Sequence, residues 1–150
     1  MRVLPIFFAK YNVSESCIVW QLGVGGFATV RKALCKPQNI NGTYVVPKPV
    51  AVKIIDQKKM SSETRSLVLL EVSIMKSLSH PNIVRCFDFF ETPDKFLLVL
   101  ELMTGGELFD RIAKKLAYTE NEARNVMFDL LNALEHCHKN KIMHRGTRFF

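Results

Sequence analysis

The chain has 150 residues, of which 48% are apolar and 23% are charged, and its formal net charge is +7. This length and composition are typical of a soluble globular protein with one core, and they exclude a chain that is disordered throughout. The 21 lysines and arginines are spread along the sequence instead of forming dense runs, so the charge does not indicate nucleic-acid binding. The short apolar stretch near the N-terminus is too short to span a membrane.

The thiol and imidazole side chains do not indicate a metal site. The sequence contains four cysteines: Cys17, Cys35, Cys86 and Cys137. They have no CxxC spacing and lie in apolar segments, as buried thiols of a protein in a reducing compartment do. His136 and His138 flank one of them, but no second ligand cluster lies at a spacing that would complete a metal site. We therefore expect a cytoplasmic protein without a bound metal at these residues.

The first half of the sequence alternates between strand patterns and turns. Residues 1–15 are interpreted as a leader of unknown role. Residues 17–22 and 28–34 predict two strands of a hairpin, with a glycine cluster between them. Residues 50–55 predict a third antiparallel strand that starts after Pro49, since proline cannot donate a hydrogen bond to a neighbouring strand.

Residues 61–78 change to a helical period. Apolar side chains recur there at steps of three and four residues: Leu67, Leu70, Ile74 and Leu78. This stripe predicts an amphipathic helix that packs on one side. Residues 83–90 and 96–102 then predict two more strands, joined by a turn around Pro93 and Asp94.

The sequence after Gly105 and Gly106 is helical in pattern. Residues 107–115 and 119–139 predict two helices, and Thr119 with Glu122 predicts a capping box at the start of the second. An apolar stripe follows along that helix: Ala123, Val126, Met127, Leu130, Leu131, Leu134 and Cys137. The order of elements predicts an α+β fold, with a five-stranded antiparallel sheet and one helix followed by further helices.

The glycine cluster of the first hairpin is a candidate binding loop. Gly23, Gly25 and Gly26 lie on a turn, where missing side chains let backbone N–H groups approach phosphate oxygens closely. A purely structural hairpin explains the same glycines equally well. The loop by itself therefore does not decide between the two interpretations.

Lys53 and Glu71 each place a charge in an apolar segment. Placing the Lys53 ammonium among apolar strand residues costs free energy unless an anion pairs with it. The Glu71 carboxylate, beside the apolar stripe of the helix, likewise needs a cation as its partner. If the helix packs on the sheet, the two groups can pair and leave Lys53 able to hold nucleotide phosphates as well. The alternative is that both side chains are exposed to water.

Taken together, these motifs resemble those of a eukaryotic protein kinase. GVGGFATV, VAVKII, Glu71, HPNIV and the LELM segment before GGELFDRI occur in the order of that family. The segments GGELFDRI and YTENEAR are similar in sequence to those of the calcium/calmodulin-dependent kinase group, which phosphorylates serine and threonine. The resemblance covers residues 18–145.

The resemblance implies a kinase N-terminal lobe and hinge over residues 16–103, followed by the start of a C-terminal lobe over residues 104–150. It implies ATP as the bound nucleotide, with Lys53 on the phosphate oxygens and Glu71 holding Lys53. The residues implied to bind ATP are Leu22, Gly23, Val24, Gly25, Gly26, Phe27, Ala28, Thr29, Val30, Ala51, Lys53, Leu100, Glu101, Met103 and Glu107.

The family assigns different parts of the nucleotide to these residues. By resemblance, Leu22, Val30 and Ala51 contact the adenine, and Leu100 is the gatekeeper at the back of the pocket. The backbones of Glu101 and Met103 are implied to hydrogen-bond the adenine edge, and the side chain of Glu107 is implied to reach the ribose.

The sequence departs from the family pattern at two positions. Ala28 stands where the family usually has its third glycine, which reduces loop freedom without forbidding nucleotide binding. After His144 and Arg145 the family has a catalytic aspartate, but here the residue is Gly146, which cannot accept a proton.

The family's later metal-binding asparagine and Asp-Phe-Gly segment do not follow Gly146, so magnesium, although expected for the family, lacks its protein ligands here. We therefore expect the ATP-binding part of a serine/threonine kinase, truncated and inactive as this chain. The alternative is a non-catalytic protein that interacts with a full-length kinase or a regulatory protein. Neither interpretation involves a membrane or a nucleic acid.

Overall fold

The computed structural model describes residues 11–12, 19–24, 28–35, 38–40, 43–45, 49–58, 60–115 and 118–144. The chain divides into two compact units. The first holds the described residues up to 76 together with residues 86–102, and the second holds residues 77–85 together with those from 103 onward.

The first unit is built on an antiparallel sheet. Its strands are β1 (Tyr11–Asn12), β2 (Val19–Val24), β3 (Ala28–Cys35), β4 (Gln38–Ile40), β5 (Thr43–Val45), β6 (Pro49–Asp56), β7 (Cys86–Glu91) and β8 (Lys95–Glu101). The main sheet has the order β1-β3-β6-β8-β7, with β2 also paired to β3, while β4 and β5 form a separate hairpin. The five predicted strands are all present, and the two-residue β1 adds a sixth to their sheet.

Buried side chains pack on both faces of this sheet. One face carries a cluster of five buried residues: Ala33, Val50, Val52, Leu97 and Val99. The other face carries Ile55, Phe96 and Leu98 in a cluster with Val72. Because successive side chains of a strand point to opposite faces, the apolar runs of β6 and β8 supply both clusters at once.

Helix α1 (Ser62–Ser77) covers the second of these faces. Four of its side chains lie in or against that cluster: Val68, Leu69, Val72 and Met75. The predicted packing stripe was right only in part: Leu78 is buried and Ile74 is half-buried, but Leu67 and Leu70 are 66% and 57% exposed. The helix contains two overlapping apolar stripes with equally regular spacing, and periodicity does not determine which of them meets the sheet.

The second unit contains helices α2 (Leu108–Lys114) and α3 (Glu120–Lys139). The predicted capping box of α3 is confirmed: the Glu122 N–H donates to the Thr119 hydroxyl oxygen at 3.2 Å, and the Thr119 N–H donates to the Glu122 carboxylate at 3.1 Å. These bonds satisfy two backbone donors that the helix itself leaves without partners.

The apolar stripe of α3 is covered only in part. Val126, Leu130 and Leu134 are half-buried and Cys137 is buried, whereas Met127 and Leu131 are exposed. Phe128, beside the stripe, is exposed as well. In the described part of the chain, no helix combines the length and the apolar character that a membrane crossing requires.

Candidate nucleotide site

The strand pairing of the first unit aligns several predicted site residues in rows. Val30, Lys53 and Leu98 lie opposite one another on β3, β6 and β8. The next row on the same face lies two positions along each strand and consists of Lys32, Ala51 and Leu100. Because opposite residues share a face, as do alternate residues along a strand, both rows point to the same side of the sheet.

Helix α1 covers this same face farther along the strands. Ala28, Ile55 and Phe96 form a third row, on the other side of Lys53 from Ala51. Ile55 and Phe96 belong to the buried cluster that includes Val72 of α1. Lys53 therefore lies between a row that the helix covers and the row formed by Lys32, Ala51 and Leu100.

The ammonium of Lys53 has no anionic partner among the described residues. The side chain is half-buried, and its ammonium makes no hydrogen bond or ion pair with any of them. Glu71 is exposed on α1, and none of the ion pairs within the described part of the chain joins it to Lys53. A cation on a mostly apolar sheet face is better stabilised when it pairs with an anion. The position of Lys53 therefore favours binding of an anionic ligand.

The backbone of the glycine loop begins close to this face. Gly23 and Val24 of β2 pair with Val30 and Thr29 of β3. Since neighbouring strands lie about 4.8 Å apart, the Gly23 backbone is two strand spacings, roughly 10 Å, from the Lys53 backbone. Leu22 lies in the same strand, and residues 25–27 lie outside the described part of the chain.

Ala28, the departure from the family's glycine, has a packing role. Its side chain is half-buried against the cluster that contains Ile55, Phe96 and Val72. The methyl group therefore adds apolar contact at the end of the loop, which a glycine would forfeit.

The remaining predicted residues lie at the end of β8 and beyond it. Leu100 packs against the buried cluster, and Glu101 is exposed as the last residue of the strand. Met103 and Glu107 are exposed residues of the second unit, and Glu107 is the N-cap of α2 without a side-chain cap hydrogen bond. Their assigned contacts with the nucleotide stay predictions, and Gly146 lies outside the described residues.

The sequence interpretation missed three residues of this neighbourhood. Leu98 lies directly opposite Lys53, Lys32 lies opposite Ala51, and Met75 of α1 packs against the cluster below them. The two-residue period of the strands could have identified Lys32 and Leu98, because each is two positions from a residue already singled out. Met75 follows Glu71 by one helical turn, which gives the corresponding signal on α1.

Metal-ligating side chains are not grouped in the described part of the chain. No set of three or more histidine, cysteine, aspartate or glutamate side chains there could hold a metal ion. Cys86 and Cys137 are free and buried, and burial is the main cause that raises the pKa of the Cys86 thiol. A buried thiol with a raised pKa stays protonated near neutral pH and is a poor nucleophile.

Known sequences match this arrangement of motifs. A family model described as protein kinase domain matches residues 18–147. Calcium/calmodulin-dependent protein kinase type IV of Mus musculus is 43% identical over 128 residues, which are 85% of this chain and 25% of that protein. Serine/threonine-protein kinase SIK1 of Rattus norvegicus is 37% identical over 144 residues, which are 96% of this chain and 17% of that protein.

A solved structure matches as well. The crystal structure of Rad53 1-466 in complex with AMP-PNP superposes with a TM-score of 0.71 at 30% identity, over 95% of this chain and 34% of that one. The chain spans between 17% and 25% of the length of the two curated relatives. The match over residues 18–147 shows that the chain belongs to the protein kinase family, with sequence similarity to its serine/threonine kinases.

Proposed function

We propose that the first unit binds ATP and that the chain is the ATP-binding part of a serine/threonine protein kinase. The observation that carries this proposal is Lys53, a half-buried residue whose ammonium has no partner among the described residues. It shares a sheet face with Val30, Ala51 and Leu100. Apolar side chains suit the flat adenine ring, and an ammonium suits phosphate oxygens.

Each group would take a distinct part in binding. Val30, Ala51 and Leu100 would hold the base by apolar contact, and Lys53 would hold phosphate oxygens by charge-assisted hydrogen bonds. Backbone N–H groups of the loop that starts at Gly23 would add further donors to the phosphates. Glu71 would approach Lys53 from α1 and orient its ammonium.

We propose further that this chain does not transfer the phosphoryl group. Gly146 occupies the position of the family's catalytic aspartate and has no side chain to orient a substrate hydroxyl. Magnesium neutralises phosphate charge in this family, but among the described residues no side-chain cluster suits a metal ion. Transfer to protein serine or threonine is accordingly proposed for full-length relatives.

The test is a calorimetric titration of the 150-residue protein with ATP in excess magnesium. Replacing Lys53 by Ala removes a charge-assisted contact, and we expect a loss of affinity of about 10- to 100-fold. Lys95→Ala is the matched control, because Lys95 is an exposed lysine of β8 in the same sheet, and it should leave affinity unchanged. Equal affinity of Lys53→Ala and the unsubstituted protein, or no binding by a sample that is folded by circular dichroism, would refute the proposal.

A second candidate function is non-catalytic binding of a full-length kinase or a regulatory protein. It is favoured by the exposed large apolar side chains of the second unit: Leu108, Ile112, Met127, Phe128, Leu131 and Met143. Exposed apolar patches mark interaction surfaces when they are extensive. The Lys53→Ala variant distinguishes the two candidate functions. If this variant still regulates a full-length kinase, the regulation depends on protein contact and not on nucleotide binding.

We also propose a cytoplasmic location. Cys86 and Cys137 are both unpaired and buried, as is usual for proteins of a reducing compartment. Fluorescence microscopy of the tagged chain tests this proposal, and retention in an oxidising compartment would contradict it.

A further inference from the structure

Arg65, in the first half of α1, contacts three separate parts of the first unit. Its guanidinium pairs with the carboxylate of Glu91 at the end of β7. Its Nε donates a hydrogen bond to Oε1 of Gln57 at 3.1 Å, just after β6. Its Cζ lies 5.9 Å from the ring centre of Phe96 in β8. One side chain therefore joins the helix to three strand ends.

The residues that Arg65 contacts are themselves held in place by hydrogen bonds and packing. Gln57 donates from Nε2 to the Thr92 carbonyl and from its backbone N–H to the Asp94 carbonyl, both at 2.8 Å. Phe96 is fully buried, and its ring centre lies 5.4 Å from that of Phe89. Arg65 therefore attaches α1 to the connected turn and strand ends at one edge of the sheet.

The contact between Arg65 and Glu91 affects the orientation of α1 more than the stability of the unit. The side chains of Arg65 and Glu91 are 47% and 39% exposed, and an ion pair at such a position contributes little to stability. However, a planar guanidinium can serve a carboxylate and an amide oxygen at once while it lies near an aromatic ring. Apolar packing of Val68 and Val72 holds α1 on the sheet but is non-directional, so it restricts sliding and rotation less.

We propose that Arg65 is a positioning residue of the nucleotide site, because it fixes α1 on the sheet and so sets how Glu71 approaches Lys53. Glu71 follows Arg65 by six residues on the same helix, which is about 9 Å along the helix axis. Lys53 pairs with Leu98 of β8, two residues from the Phe96 ring that Arg65 contacts. Both charged groups are therefore positioned relative to β8. The inference rests on the proposed ATP binding.

The experiment compares the ATP affinity of the whole chain with and without this contact. Arg65→Met removes the guanidinium and keeps the aliphatic stem, and we expect affinity to fall by about three- to tenfold. If Arg65 acts through Glu71, adding Arg65→Met to Glu71→Gln weakens binding no further. Combining Arg65→Glu with Glu91→Arg restores the ion pair and should recover most of the loss.

Arg124→Met is the matched control, because Arg124 forms an exposed ion pair with Glu120 at 3.1 Å on α3 of the second unit. It should not change ATP affinity. If Arg65→Met does not fold, Arg65→Lys, which keeps the charge but loses the planar fork, replaces it and must show the same dependence on Glu71. Unchanged affinity, or losses that add fully in the double variant, would overturn the positioning role.

Failure of the proposed function is a separate outcome. If the unsubstituted protein does not bind ATP, amide hydrogen exchange of α1 tests the positioning directly. Faster exchange around Glu71 in Arg65→Met, without that change in Arg124→Met, supports the inference. Equal exchange in all three proteins overturns it.

Discussion

The two units of the chain use apolar side chains in contrasting ways. In the first unit Val52, Phe96 and Val99 are fully buried, because the sheet has apolar layers on both faces. In the second unit the well-capped helix α3 leaves Met127 and Leu131 of its apolar stripe 41% and 56% exposed, and Phe128 beside the stripe is 64% exposed. A periodic apolar pattern thus predicts a helix and its apolar side, whereas burial of that side requires a second layer to pack against it.

Matched phenylalanine substitutions test this comparison most strongly. Phe96→Ala opens a cavity in the core next to Phe89 and α1, and we expect a loss of about 3–5 kcal/mol in the free energy of unfolding of the first unit. Phe128→Ala removes the same atoms from an exposed position and should change the free energy of unfolding of the second unit by less than about 0.5 kcal/mol. Chemical denaturation followed by far-ultraviolet circular dichroism, which reports the helices and strands of both units, measures both.

Comparable losses in the two variants would show that Phe128 is covered in solution, and the contrast between the units would then be wrong. A small loss for Phe96→Ala alone would instead show that the core collapses around the missing ring.

The sequence predicts most of the fold because its patterns are local. The mostly apolar, β-branched run of residues 50–55 and the glycine cluster before residue 28 predict strands of the main sheet. Thr119 with Glu122 predicts the start of α3. The family model and the solved structure confirm the kinase-like fold that the motifs imply. The packing face of α1 was predicted only in part. Leu67 and Val68 belong to two different apolar stripes, and a helical period does not show which of the two packs on the sheet.

The candidate site is predictable only in part. The placement of Val30, Ala51 and Lys53 on one face follows from the two-residue period, once the strands are paired in register. The contacts of Arg65 join positions 57, 91 and 96, which lie on separate elements, and no sequence period relates them. The pairing of Lys53 with Glu71 depends on where α1 lies on the sheet, and it stays a prediction.

The cap of α3 offers a smaller test, of whether local bonds maintain this helix when part of its apolar stripe is exposed. Thr119→Ala removes the hydroxyl that accepts from the Glu122 N–H, and we expect a loss of about 1 kcal/mol in local helix stability. Hydrogen exchange of the amides of residues 120–123 should accelerate by roughly fivefold, since 1.4 kcal/mol is a factor of ten. Thr104→Ala, at an exposed position outside the helices, is the control. Unchanged exchange in Thr119→Ala would mean that tertiary contacts, not the cap, hold the first turn.

The smallest expected effect is the pH dependence of the same cap. The Lys115 ammonium, followed by the backbone N–H and hydroxyl of Thr119, lowers the pKa of Glu122 to about 2. Because the folded pKa lies below the ordinary value of 4.5, the stabilisation is fully present above about pH 4.5 and is lost as the pH falls toward 2. Exchange of the first-turn amides, corrected for intrinsic rates, should therefore become less protected over this range.

Glu122→Gln should remove most of that acid dependence, and Glu107→Gln should leave it in place because the Glu107 side chain makes no cap bond in α2. The side chains of Lys115 and Glu122 are 52% and 41% exposed. About 1 M salt, which shortens the Debye length to about 3 Å, should therefore weaken the Lys115 contribution more than the two hydrogen bonds from Thr119. An acid transition that salt leaves unchanged would assign the lowered pKa to the Thr119 hydrogen bonds. The first turn of α3 would then be held by its own cap, independently of the cation from the segment before it.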